Sequence, residues 1–157
     1  MVSNEILKGF GLFNGLSENE LSQITKLCHD RTYEDGAVIF TTGGFAKDVY
    51  LLKAGRVNIQ IEFKIYDNEI VATVYTVGKG EIFGWSALVP QHRLTASARC
   101  KGRSDVIMID GKELLWLLEK EKNLGYWVMK NLSGLVSSRL AYTTIALRNE
   151  IQKLTQK

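Results

Sequence analysis

Arg56-Val57-Asn58-Ile59-Gln60-Ile61-Glu62-Phe63-Lys64-Ile65-Tyr66 is the stretch that decides the fold class. Apolar Val57, Ile59, Ile61, Phe63 and Ile65 alternate with Asn58, Gln60, Glu62 and Lys64. A period of two places one face of a strand in a core and the other in water. Asp67-Asn68 supplies turn chemistry, and Ile70–Val77 reads as the returning strand of a hairpin. Glycines at 36, 43, 44, 55, 78, 80, 84 and 102 punctuate further short segments. Short strands between glycine turns predict a mainly β architecture of the sandwich, jelly-roll or barrel kind.

Helical periods flank this region. Ser17-Glu18-Asn19-Glu20 has the form of a capping box, with Leu21, Ile24 and Cys28 following on one helical face. Asp110-Gly111-Lys112-Glu113 looks like a second capping box, opening a short helix with Leu114, Leu117 and Leu118 on one side. After Lys122-Asn123 no proline interrupts the chain, and Leu132, Leu135, Val136, Leu140, Leu147, Ile151 and Leu154 keep spacings of three, four or seven. A helix of about 30 residues would run about 45 Å, longer than a small domain needs to cover its core. Its far half is expected to pack on a partner, most simply a second copy of the chain. The expected units are residues 1–122, a β-roll with flanking short helices, and residues 123–157, a long helix at a dimer interface.

The chain has 157 residues, 45% hydrophobic and 24% charged, with a formal net charge of +3. That composition excludes disorder and collagen-like repeats. The charge bias suits a small anionic ligand and is too weak to argue for nucleic acid. No apolar run approaches the roughly 18–20 residues of a membrane span, and MVSNEILKGF lacks the layout of a signal peptide. Cys28 and Cys100 cannot build a disulfide framework and suit a reducing compartment, so a cytoplasmic protein is expected.

Enzyme chemistry finds no purchase. The two histidines, His29 and His92, have no Cys, Asp or Glu at metal-ligand spacing, so neither a metal nor a catalytic residue is assigned. No G-x-S-x-G elbow, phosphate loop or dinucleotide fingerprint is present. Asn131-Leu132-Ser133 fits a glycosylation sequon, but inside the long helix it reads as chance.

A different chemistry is legible in Gly80-Glu81-Ile82-Phe83-Gly84-Trp85-Ser86-Ala87-Leu88 and Arg93-Leu94-Thr95-Ala96-Ser97-Ala98. Glycine after a strand lets the backbone turn sharply, so that the N–H groups of Trp85, Ser86 and Ala87 point into a common space suited to an anion. Arg93 can fork onto the same anion, and the Thr95 and Ser97 hydroxyls are further donors. The bland reading is a β-turn followed by a strand with an exposed arginine.

The segment resembles the phosphate-binding cassette of cyclic nucleotide-binding domains, the family of the catabolite activator protein and the kinase regulatory subunits. The family form is F-G-E-x-A-L, a short gap, then P-R-x-A-[TS]-V. The likeness extends to Phe13-x-x-Leu16-Ser17-x-x-Glu20-Leu21, to Tyr33-Glu34-Asp35-Gly36-x-x-Ile39-Phe40 with Gly43-Gly44, and to Tyr50-Leu51-Leu52-x-x-Gly55-x-Val57. It implies an eight-stranded β-roll (a double-stranded β-helix or jelly roll), a capping helix and a long C-terminal dimerisation helix. It further implies a ligand site of Phe83, Gly84, Trp85, Ser86, Ala87, Arg93, Thr95, Ala96 and Ser97. Thr143 and Thr144 resemble the hydroxyls that activator-type members present to the purine across the dimer; the alternative for them is a polar notch in a helix seam.

Two departures bear on the ligand. Trp85 stands where the family has the carboxylate that binds the ribose 2′-hydroxyl, and Glu81, earlier in the chain, is not expected to substitute. Arg93 precedes Ala96 by three residues instead of two, so strict register puts Leu94 in the arginine slot. Losing one charge-assisted hydrogen bond, worth about 1.5–3 kcal/mol, costs about one to two decades of affinity. Trp85 either lines the pocket or fills it. The expected function is accordingly a stand-alone sensor, not an enzyme, that binds a cyclic nucleotide (cAMP or cGMP) or another anionic small molecule as effector, not as an obligatory cofactor. It would signal through its terminal helix to an unidentified downstream protein. The alternative is a dimeric interaction scaffold with a degenerate pocket. With no recognition helix after the long helix, DNA binding is not expected, and the charges Arg139, Arg148, Lys153 and Lys157 read as a solvated face.

Overall fold

The Ser17 hydroxyl accepts from the Glu20 N–H while the Glu20 carboxylate accepts from the Ser17 N–H, so the first of the two capping boxes is complete. At the second, the Asp110 carboxylate accepts from the Lys112 and Glu113 N–H groups, and no reciprocal bond from Glu113 forms. A computed structural model describes residues 1–156; Lys157, one of the charges assigned to the solvated face, lies outside the described residues.

The chain runs α1 (Asn4–Leu7), a 3₁₀ turn (Gly11–Phe13), α2 (Glu18–Thr25), β1 (Cys28–Tyr33), β2 (Val38–Phe40), β3 (Asp48–Ala54), β4 (Val57–Ile65) and β5 (Asn68–Val77). It continues through β6 (Ile82–Phe83), a second 3₁₀ turn (Trp85–Leu88), β7 (Ser97–Cys100), β8 (Ser104–Asp110), α3 (Gly111–Lys120) and α4 (Lys122–Thr155). Eight strands form two four-stranded sheets, ordered β1-β8-β3-β6 and β2-β7-β4-β5, with every pairing antiparallel. This is the β-roll with flanking helices.

Cys28 is not on the face of α2. The helix stops at Thr25 and Cys28 opens β1, tied back by its thiol to the Ile24 carbonyl. The β4–β5 turn lies one residue earlier than expected, at Tyr66-Asp67 between the paired residues Ile65 and Asn68, with Tyr66 in the left-handed region at φ 55°.

Two cores follow from the topology. One lies inside the roll and contains Tyr50, Leu52, Val57, Val77, Phe83, Ala98, Cys100 and Val106. The other lies between the first sheet and the helices, where Val49, Leu51, Ile107 and Ile109 meet Leu21, Ile24, Leu114, Leu118, Leu124, Val128 and Leu132. Strands β3 and β8 are therefore covered on both faces, which is why Val49-Tyr50-Leu51-Leu52 and Val106-Ile107-Met108-Ile109 are unbroken apolar runs.

Helix α4 has 34 residues and so extends about 51 Å. Its first turns belong to the helical core, and the Asn131 amide donates to the carbonyls of Leu12 and Asn14, which gives that residue a structural reason for its place. Farther along, α4 crosses the second sheet, where Tyr142 meets Tyr75 edge-on at 5.8 Å. The inward-facing stripe continues with buried Leu132 and Arg139 and half-buried Val136, Thr143 and Leu147 at spacings of three and four. Leu140, expected on that stripe, is 67% exposed, and Arg139, expected in solvent, is 8% exposed.

Candidate functional site

The second sheet is the open side of the roll. Of the alternating apolar residues in β4 only Val57 is buried; Ile59, Ile61, Phe63 and Ile65 are half-buried. The reason is a cavity of about 310 Å³ over this face, walled by Phe40, Ile59, Ile61, Val74 and Tyr75, by the β6 turn and by α4. That volume is at the lower end of small-molecule sites.

Gly84 shapes the turn. Its φ of 73° and ψ of 23° lie in the left-handed region, and a Cβ there would stand 2.7 Å from the Tyr50 ring. Tyr50 in turn stacks on Phe83 at 5.0 Å, so the turn rests on the roll core. The Ala87 N–H donates to the Gly84 carbonyl, which leaves Trp85 and Ser86 as the residues of the turn whose N–H groups have no backbone acceptor.

The residues expected at the site divide into two groups. Phe83, Gly84, Trp85, Ser86, Thr95, Ala96 and Thr143 all line the cavity. Ala87 faces away into the helical core at 2% exposure. Ser97 is buried and its hydroxyl accepts from the Thr42 N–H, holding the neighbouring loop. Thr144 is exposed, its hydroxyl donating to the Leu140 carbonyl one turn back. Arg93 is exposed and donates through Nη1 to the Gly43 carbonyl at 3.4 Å, off the cavity wall. Leu94, held by paired bonds to Gly43 and Gly44, takes the wall position instead. The extra residue is not absorbed by the loop because those backbone bonds set the register.

Arg139 reaches the cavity from α4. Its guanidinium carbon lies 3.8 Å from the centre of the Tyr75 ring and 4.8 Å from that of Trp85. Nη2 donates to the Ile82 carbonyl at 3.1 Å and lies 3.5 Å from the Glu81 carboxylate. Glu81 also accepts from the Tyr75 hydroxyl and from the Gly78 N–H. Burial draws the guanidinium below its ordinary pKa, opposed by Tyr75 and Glu81. Burial, then the bond to Glu81, pushes the Tyr75 phenol up. No fully buried side-chain polar atom lacks a partner among the described residues. The signal for Arg139 was present in the sequence as its place between Val136 and Thr143 on the α4 stripe; the charge argued against reading it that way.

A cationic fork, two aromatic planes and short hydroxyls on one concave wall suit an anion that carries a planar or apolar group. No group of three or more His, Cys, Asp or Glu side chains able to hold a metal occurs among the described residues, and no helix among them is long and apolar enough to cross a membrane.

Comparison with known proteins agrees with this geometry. Residues 30–121 match the cyclic nucleotide-binding domain model, and the chain belongs to that family. It is 26% identical over 141 residues to the cyclic AMP receptor protein of Thermus thermophilus, covering 90% of this chain and 62% of that protein. It is 30% identical over 129 residues to glutaminase 1 of Bradyrhizobium diazoefficiens, covering 82% of this chain but 20% of that protein. The chain thus spans less than two thirds of either curated relative. A cyclic nucleotide-binding domain from Methylobacillus flagellatus shares the fold, with a TM-score of 0.76 at 21% identity over 93% of this chain and 80% of that one. The family is a regulatory, ligand-binding one.

Proposed function

We propose that the chain is a sensor module whose roll cavity takes a cyclic nucleotide, cAMP or cGMP, or a related anionic ligand, and whose output is the pose of α4. The observation that carries this reading is Arg139: the buried cation of the cavity belongs to the helix that would transmit the signal. A ligand anion competing with Glu81 and the Ile82 carbonyl for that guanidinium would change how α4 is held, which shifts a population between two helix arrangements. Trp85 then serves as a wall on which a base or sugar stacks. The half of α4 beyond Arg139 leaves Leu140, Ile145 and Ile151 exposed, and a second copy of the chain is the proposed cover, within a cytoplasmic setting.

A calorimetric titration with cAMP and with cGMP, followed also by tryptophan fluorescence, tests the reading. Saturable binding near one ligand per chain, lost by tenfold or more in Arg139→Gln and little changed in Arg93→Ala, is the expected result. Silence at millimolar nucleotide in the intact chain would favour the second reading, an interaction scaffold with a closed pocket. That reading draws on Trp85 in place of the family carboxylate and on the partners Arg139 already has.

A further inference from the structure

A second concave surface lies on the far side of the helical core. It has a volume of about 550 Å³ and is lined by Gln23, Lys26 and Leu27 at the end of α2 and by Lys112, Glu113, Trp116, Leu117 and Lys120 of α3. Lys112, Trp116 and Lys120 are four residues apart and form one ridge of α3. Leu114 and Leu118 on the other side of that helix are buried in the core, and Leu117, also buried, closes the groove floor. The ridge does not support the fold. Trp116 is 63% exposed, an unusual position for a side chain that gains so much by burial. The Lys120 ammonium sits 4.9 Å from the centre of its ring. Lys112 lies in the first turn of α3, where a cation works against the helix dipole. None of Lys26, Lys112 and Lys120 has an acidic partner within ion-pair distance among the described residues. Glu113 is the one acid in the lining.

We infer that this groove docks an acidic segment of another protein, with a bulky apolar side chain seated on Trp116 and Leu27 and carboxylates facing the three lysines. Charge complementarity selects the acidic partner, and exposed tryptophan flanked by cations is the composition of an interface anchor. The concavity between two helices favours a peptide over a flat anionic membrane. This surface is separate from the roll cavity, so the inference stands whether or not a nucleotide binds.

The test selects a random peptide library on the intact chain without nucleotide, then titrates the enriched peptides by fluorescence anisotropy. Enriched peptides should be acidic with at least one large apolar residue. Their affinity should fall tenfold or more in Trp116→Ala and in the double variant Lys112→Glu/Lys120→Glu, fall with added salt, and rise in Glu113→Lys. All these residues are exposed, so thermal midpoints should stay within a few degrees of the parent's. Enrichment without acidic bias, or affinity unchanged in Trp116→Ala, overturns the proposal. So does a failure to enrich beyond the double variant. Lysine-dependent sedimentation with phosphatidylserine vesicles, without peptide binding, would assign the surface to membranes and equally overturn it.

Discussion

The two sheets of the roll are built from the same kind of strand and serve opposite ends. In the first, β3 and β8 are covered by helices on one face and by the roll interior on the other. In the second, Val57 and Val77 join the roll core while β4 and β5 otherwise have water on one face and the cavity on the other, where Ile59, Ile61 and Tyr75 stay half-buried. The closed sheet carries stability and the open one keeps apolar surface beside a cavity. The difference shows that an amphipathic strand specifies which face is apolar and leaves open what that face will touch.

The strongest test of this contrast is a pair of truncations. Ile107→Ala, at a position with no exposure in the closed sheet, should cost about 2–5 kcal/mol in urea unfolding. Ile61→Ala, half-buried at the cavity wall, should cost less than about 1 kcal/mol. Equal costs would erase the distinction between the sheets.

A smaller effect is expected at the turn after β6. Gly84→Ala forces a Cβ onto the Tyr50 ring at a positive φ, at a cost of about 1–3 kcal/mol, and should also lower any ligand affinity of the cavity. Unchanged unfolding would mean that the turn is free to relax.

The two arginines sharpen the comparison further. Arg139→Gln removes a guanidinium from between Tyr75 and Trp85 and leaves Glu81 without its cation, for about 1–2 kcal/mol. Arg93→Ala, on the surface, should stay within about 0.5 kcal/mol. Thermal unfolding of both variants separates them; equal shifts would place the α4 contact outside the fold's stability.

The smallest effect belongs to Cys28 at the edge of the closed sheet. Burial, with Asp30 adding to it, pushes this thiol up to about 12, whereas an unfolded thiol ionises near 8.5. Its contribution is therefore full below about pH 8.5 and declines as the unfolded state ionises above it. Between pH 7 and 9.5 the parent should lose slightly more stability than Cys28→Ala, measured by urea midpoints. Parallel pH profiles would show that the thiol is not held protonated.

Much of this was readable one residue at a time. The alternation over Arg56–Tyr66, the Ser17 cap and the Asp110 start of α3 are local: each depends on side-chain period or on a hydroxyl or carboxylate beside a free N–H. The Phe83–Ser86 turn was legible because Gly84 and the apolar pair before it determine the backbone over a few residues. The differences arose where a distant contact decided. Cys28 matched a helical face, but pairing of β1 with β8 took it into a strand. Arg93, expected on the cavity, lies off its wall because the bonds between Leu94 and the Gly43-Gly44 loop set the register.

By itself the sequence determined a mainly β architecture, the helix starts, the long terminal helix and the region of the turn, because these rest on periods and short-range hydrogen bonds; the β-roll in particular was implied by the resemblance of its motifs to cyclic nucleotide-binding domains. Only the tertiary structure decided which cation faces the cavity. Arg139 is 57 residues from the Ile82 carbonyl it binds. A charge can be placed on an otherwise apolar helix stripe only when a folded wall supplies a carboxylate, a carbonyl and two rings to receive it.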